Sequence, residues 1–243
     1  MKTILHAFVV LPLLAACESA TMTPSGVSTS DFGAEYLGRP YVADPLGEGA
    51  GYDADPLIRT DAFDCQTYVE TVLACGDVTR LTKIRYAGGV ADFAHRNHFF
   101  TADWLANNKG LVENVSGDFG NTAIRTGVID KRSWAKKVHN MNLDAAPVTA
   151  ELKYVPYSDI KNFDVSAPML VAFVVANPVV ANRVGSDIFV THVGFLMPGG
   201  VLRHASQIHG QVMDVDFREY IAGRAKSASN LGVAFFEIKG SCK

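Results

Sequence analysis

From Asp64 onward the apolar positions recur first with a helical period and later with the period of strands. Cys65, Tyr68, Val69, Val72 and Leu73 stand at i, i+3, i+4, i+7 and i+8, which is the stripe of one buried helix face. Asp64 is a suitable N-cap ahead of that stripe and Gly76 a suitable stop. Upstream, Ser30 can cap a short helix through Tyr36 that Gly38 ends, and residues 39–59 are rich in Gly and Pro without any period. The middle third is mixed, with short helices predicted after Thr101 and around residues 133–140. Beyond Pro168 the pattern changes to strands. Residues 169–176 form a continuous apolar run, 188–197 are β-rich, and 201–206, 211–215 and 231–238 complete the set. Helices first and an antiparallel sheet afterwards give an α+β class, with the Cys65 helix packed against the sheet.

The N-terminus carries an export pattern. Lys2 supplies a positive start, and residues 4–14 form an apolar run too short to span a bilayer as a helix. The run ends in Leu14-Ala15-Ala16-Cys17, which resembles the lipobox of bacterial lipoproteins. The resemblance implies cleavage before Cys17 and acylation at that residue, a two-signal anchor that holds where one chain would not. Glu18, where an aspartate would imply inner-membrane retention, directs the expectation to the outer membrane. Residues 17–30 are small and polar and read as a tether. A single domain is expected over 31–243.

Composition narrows the function. The chain has 243 residues, 48% hydrophobic and 19% charged, with a net charge of −3, so a globular core is expected. The absence of a basic excess or a Lys/Arg run argues against a nucleic-acid partner. There is no HExxH, no paired CxxC and no Gly-rich phosphate loop, so neither a metal nor a cofactor is expected. With Cys17 assigned to lipid, Cys65, Cys75 and Cys242 remain in an exported, oxidising setting. On one helix, Cys65 and Cys75 would stand roughly 15 Å apart, beyond the ~7 Å that a disulfide spans. Cys75 with Cys242 is the intradomain pair that spares Cys65; the alternative is that both are free thiols.

Cys65 is therefore singled out as a nucleophile. The first turn of a helix favours an anion, so a lowered thiol pKa is expected. Two histidines stand in one hairpin, His192 in Phe189-Val190-Thr191-His192-Val193 and His204 in Leu202-Arg203-His204, around the turn Met197-Pro198-Gly199-Gly200. An odd-length loop centred on Pro198 would set them directly opposite on one face, about 5 Å apart at Cβ. His204 would then orient His192 and select its tautomer.

Several segments resemble the NlpC-type papain-like cell-wall hydrolases, and more narrowly their N-acetylmuramoyl-L-alanine amidase-like subgroup. Phe63-Asp64-Cys65-Gln66-Thr67-Tyr68 is similar to the nucleophile motif, Thr191-His192-Val193-Gly194-Phe195 to the histidine strand, and His204-Ala205-Ser206 to the third polar position. Leu37-Gly38-Arg39-Pro40-Tyr41 is similar to a Gly-x-Pro-Tyr motif whose tyrosine lines the site near the oxyanion. His95-Arg96-Asn97-His98-Phe99-Phe100 with Trp104 resembles a segment of the subgroup. The resemblance implies a papain-like fold and a Cys65–His192–His204 triad. Tyr41, Asp64, Arg96, His98 and Trp104 are the expected oxyanion or substrate contacts. Two stretches depart from the subgroup: Asp164-Val165-Ser166-Ala167-Pro168 lacks its Gly-Asp, and 177–187 is an enlarged connection.

The expected activity is amide hydrolysis in peptidoglycan or muropeptides between N-acetylmuramic acid and L-alanine. The alternatives are a stem-peptide endopeptidase cutting after γ-D-glutamate, acyl transfer to an acceptor other than water, and a non-catalytic peptidoglycan-binding lipoprotein. The expected location is the periplasmic side of the cell envelope, anchored by lipid to a membrane.

Overall fold

The structure is a computed structural model that describes residues 32–239. The expected signal peptide, the Cys17 lipidation site, the tether, the Ser30 cap and Cys242 lie outside the described residues.

In chain order the helices are α1 (Cys65–Ala74), α2 (Val78–Arg85), α3 (Leu105–Asn107), α4 (Lys131–His139), α5 (Pro178–Val184) and α6 (Phe217–Arg224). The strands are β1 (Val112–Asn114), β2 (Ala123–Ile129), β3 (Val148–Pro156), β4 (Met169–Val175), β5 (Val190–Met197), β6 (Val201–Ser206), β7 (Gln211–Asp216) and β8 (Asn230–Ile238). They form one antiparallel sheet in the order β2-β3-β8-β4-β5-β6-β7, with β1 also paired to β8.

The unbroken apolar run of β4 follows from its place between β8 and β5, where both faces are covered. On one face Leu170, Ala172 and Val174 meet Tyr68, Val69, Val72 and Leu73 of α1, together with Val193 and Phe195 of β5. On the other, Val171 and Phe173 meet Phe217 and Ile221 of α6. Central strands buried on both faces read as continuous apolar runs rather than alternating ones. The α6 layer is absent from the sequence reading, as are β2 and β3. The edge strand β2 alternates partly buried and exposed positions along most of its length, a weaker signal than that of the central strands.

Helix α1 starts where predicted, on a capping box in which Asp64 Oδ1 accepts from Thr67 N at 2.7 Å and Thr67 Oγ1 accepts from Asp64 N at 3.0 Å. It ends one residue earlier than Gly76 suggests, because Cys75 itself adopts the left-handed conformation at φ 57°. Cys75 is disulfide-bonded, whereas Cys65 is a free thiol. The enlarged connection 177–187 is mostly α5, whose Asn177 cap accepts from Val180 N at 3.1 Å.

The expectation of a single buried stripe on α1 is too narrow, since every residue from Thr67 to Ala74 is buried. Its polar side is satisfied internally. Glu70 accepts from Arg85 Nη1 at 2.6 Å, Trp104 Nε1 at 3.0 Å and Gln66 Nε2 at 2.9 Å. Arg85 also donates to the Leu46 carbonyl at 3.1 Å. This fixes α2 and the segment preceding α3 against α1. It also corrects the expected substrate role of Trp104: the indole is 0% exposed and its N–H is committed to Glu70.

Because both members of the Glu70–Arg85 pair are under 5% exposed, removing one strands the other. Glu70→Leu should cost about 3–5 kcal/mol, measured by denaturant unfolding. The double variant Glu70→Leu/Arg85→Met should recover most of that loss. Equal losses in the single and double variants would contradict the assignment.

Candidate active site

The Cys65 sulfur is half-buried, at the first residue of α1. Three backbone N–H groups act on it: those of Val193, Gln66 and Cys65 itself. Two belong to the free first turn of α1. The third belongs to β5, at the residue that follows His192. The start of α1 is thus docked on the strand that carries the histidine.

Those donors act in the direction the helix start predicts, yet the net result is reversed. Burial, followed by the neighbouring Asp64 carboxylate, pushes the Cys65 thiol up to about 12 against the pull of the three N–H groups. The expectation of a lowered pKa is therefore corrected: at neutral pH the group is a thiol. Desolvation of a thiolate outweighs a few backbone dipoles when a carboxylate stands one residue away.

His192 and His204 are brought together, by a register different from the predicted one. The hairpin pairs Met197 with Val201, Leu196 with Leu202 and Phe195 with Arg203, so its loop is centred on Gly199 rather than Pro198. This register sets Gly194, not His192, opposite His204. The parity is unchanged, so the two rings remain on one face as diagonal neighbours, and His192 Nε2 lies 2.7 Å from His204 Nδ1. Gly194 makes room for this crossing. A Cβ there would stand 2.9 Å from His204 Cβ and 3.0 Å from the Arg203 carbonyl oxygen.

Both histidines are held neutral. Burial lowers His192 well below the ordinary imidazole range, helped by His204 and by the positive charge of Arg224. Burial lowers His204 to about 4, with a further contribution from His209.

Two tyrosines are near enough to the sulfur to interact with it electrostatically. Tyr41 is fixed by the donation of its own N–H to the Gly210 carbonyl at 2.8 Å and by a bridge to Phe63. Its hydroxyl is raised by burial, then by Cys65 and Asp64. Tyr220 is raised to about 12, chiefly by burial and in part by Cys65. Its ring lies 5.2 Å from that of His204 and 6.0 Å from that of His192. Phe173, paired with His192 across β4 and β5, packs at a tilt against its ring, centroids 5.5 Å apart.

The remaining expected contacts divide. Asp64 is adjacent to the sulfur and acts as the α1 cap. Arg96 is committed elsewhere: its guanidinium meets Asp53 at 2.8 Å, Asp44 at 3.0 Å and Glu48 at 3.6 Å, and donates to the Leu46 carbonyl. Asp44 N in turn donates to Asp64 Oδ2 at 3.2 Å, so Arg96 reaches the site only through this loop. That corrects its expected role as a direct substrate contact. His98 sits in an aromatic cluster, its Nε2 2.8 Å from the Phe93 carbonyl and its ring 4.6 Å from Trp134. The same corrective holds for His98, whose ring is packed and lowered by burial.

Sequence reading missed Tyr220 and Arg224, which stand four apart on α6. The signal was present, since Asp216 caps this helix by accepting from Glu219 N at 2.8 Å. What the sequence lacks is any sign that α6 covers the histidine face of the sheet.

The thiol state yields a chemical test. A group that ionises near pH 12 gains reactive thiolate as pH rises, so iodoacetamide should alkylate Cys65 slowly at pH 7 and progressively faster through pH 10. Asp64→Asn keeps a capping side chain but removes the repelling charge, and should increase the rate at pH 8 severalfold. A rate that levels off below pH 8 in the unaltered protein would contradict the burial argument.

Comparison with known proteins accords with this geometry. The chain matches the AmiA-like family, described as N-acetylmuramoyl-L-alanine amidase-like, over residues 31–227. A Legionella pneumophila protein assigned to DUF1460 superposes with a TM-score of 0.76 at 21% identity, covering 86% of this chain and 87% of that one. An N-acetylmuramoyl-L-alanine amidase from Bacteroides uniformis superposes with a TM-score of 0.64 at 22% identity, covering 86% and 98%. At these identities the superpositions speak for the fold. No curated protein shows a significant match. With most of its length matched, this chain belongs to the AmiA-like, N-acetylmuramoyl-L-alanine amidase-like family.

Proposed function

We propose that the protein is a cysteine-dependent amidase of the NlpC-type papain-like group, cleaving the bond between N-acetylmuramic acid and L-alanine in peptidoglycan or muropeptides. One observation carries the reading: the backbone N–H that follows His192 acts electrostatically on the Cys65 sulfur, and His192 is itself held 2.7 Å from His204. The nucleophile at the start of α1 is thus docked on β5, the strand that carries the base, and the orienting group faces that base from β6. The family assignment supports the bond chosen.

The resting pair is a neutral thiol beside a neutral imidazole, so His192 acts as a general base rather than as half of a preformed ion pair. With His204 Nδ1 accepting from His192 Nε2–H, the lone pair of His192 lies on Nδ1, the nitrogen free to take the Cys65 proton. Sulfur attacks the lactyl carbonyl as that proton leaves. The oxyanion is received by the Cys65 N–H and the Tyr41 hydroxyl, which its raised pKa keeps protonated. Collapse breaks the C–N bond, and the imidazolium returns the proton to the departing alanine amine. Water, deprotonated by His192, then hydrolyses the thioester to a carboxylic acid and restores the thiol.

The N-terminal lipobox resemblance extends the proposal to a lipoprotein anchored through Cys17 in the cell envelope, facing the periplasm from the outer membrane.

Two results are expected. Cys65→Ala should lower muropeptide turnover at least about a thousandfold with unfolding unchanged. Mass spectrometry of wild-type digests should show lactyl-sugar products and complete stems beginning with alanine. Stems truncated after γ-D-glutamate would move the cut to the endopeptidase bond, and undiminished turnover by Cys65→Ala would remove the nucleophile. The pH profile gives an independent check. His192 is a base only above its own pKa, which lies well below 6.5, so kcat/KM should fall only at pH values under the ordinary imidazole range. Loss of activity centred near pH 6.5 would contradict a depressed His192.

A further inference from the structure

Among the described residues, the buried arginines and most of the partly buried ones are paired with carboxylates. Arg85 meets Glu70, Arg96 meets Asp44, Glu48 and Asp53, Arg125 meets Asp187, and Arg203 meets Asp214. Arg224 is partly buried too, yet among the described residues its hydrogen-bond partners are all neutral. Nε donates to Tyr157 Oη at 3.4 Å, and Nη2 to Thr191 Oγ1 at 3.1 Å and to Asn230 Oδ1 at 3.3 Å. No carboxylate of the described residues lies within ion-pair distance of it. The guanidinium is also fixed against two rings, 5.0 Å from the Phe173 centroid and 6.0 Å from that of Tyr220.

Its location gives this unpaired charge a purpose. Thr191, which it contacts, is solvent-exposed and immediately precedes His192. Phe173 packs at a tilt against the His192 ring, and Tyr220 lies within electrostatic reach of the Cys65 sulfur. A cation held rigid by neutral acceptors and aromatic faces retains its affinity for an anion that arrives from solvent. A partly desolvated guanidinium beside the reacting groups is where such an anion gains most. We propose that Arg224, steadied by Thr191 and Tyr157, is the seat for a carboxylate borne by the amide substrate, making the protein selective for peptides that carry a free carboxylate near the scissile bond. The inference rests on the amidase reading for its choice of substrate, and Arg224 acts in it as a substrate-binding residue.

Binding to protein that cannot turn over separates the two. In the Cys65→Ala background, N-acetylmuramoyl-L-alanyl-D-glutamic acid and its bis-carboxamide are titrated by calorimetry. The diacid should bind at least about tenfold more tightly, the size of one charge-assisted contact. Adding Arg224→Gln should bring the two ligands to within about twofold of each other, whereas Arg224→Lys, which keeps the charge, should preserve part of the preference. Equal binding of diacid and carboxamide without the Arg224 change would overturn the carboxylate seat, and so would a preference that survives Arg224→Gln. Hydrolysis by the Cys65→Ala protein would overturn the nucleophile assignment, while the carboxylate preference would still be decided by comparing initial binding of the two ligands.

Discussion

The site depends on the docking of one helix start onto one strand. Helix α1 is buried from Thr67 to Ala74, and its orientation is set at both ends. The Asp64–Thr67 box fixes the first turn, and Glu70 ties the second turn to Arg85 and Trp104. Rigidity at this level keeps the Cys65 sulfur on the histidine strand, where the Val193 N–H acts on it together with the two N–H groups of its own first turn. The same burial that secures the helix removes water from the sulfur. It thereby decides the protonation state of the Cys65 thiol, against the helix dipole.

Electrostatics in the site follow one rule: desolvation dominates and neighbouring charges modulate. It keeps Cys65 protonated and His192 and His204 uncharged, so these three groups carry little net charge at rest. Fixed charges lie at its margins, Asp64 on the α1 side and Arg224 on the α6 side. Asp64 disfavours a free thiolate, and Arg224 disfavours a free imidazolium. Together they oppose a standing thiolate–imidazolium pair, and in the proposed mechanism that favours proton transfer coupled to attack.

Much of this was legible in the chain because the local rules were strong. The i, i+3, i+4 stripe from Cys65, its Asp64 cap and the apolar run of β4 each mark an element that packing then preserves. The parity of the His192–His204 hairpin was left open by the sequence, which allows an odd loop or an even one that would part the two rings. Its register was not legible either: the turn centres on Gly199 rather than Pro198, and Gly194 then fits closely against His204. Arg96, His98 and Trp104 look like ligand contacts in sequence because polar and aromatic residues serve cores and sites alike. Only the fold reveals that Glu70 claims Trp104 and that three carboxylates claim Arg96. The pKa of Cys65 was misread for a similar reason, because a helix start is visible in sequence and the burial of its first residue is not.

Trapping the covalent intermediate tests the central claim most directly. Wild-type protein is mixed with muropeptide, quenched in acid within milliseconds and digested for mass spectrometry. The account predicts a lactyl-sugar thioester on the peptide containing Cys65, absent when His192 is replaced by Ala. Turnover with no adduct on Cys65, or an adduct that forms equally fast without His192, would contradict it.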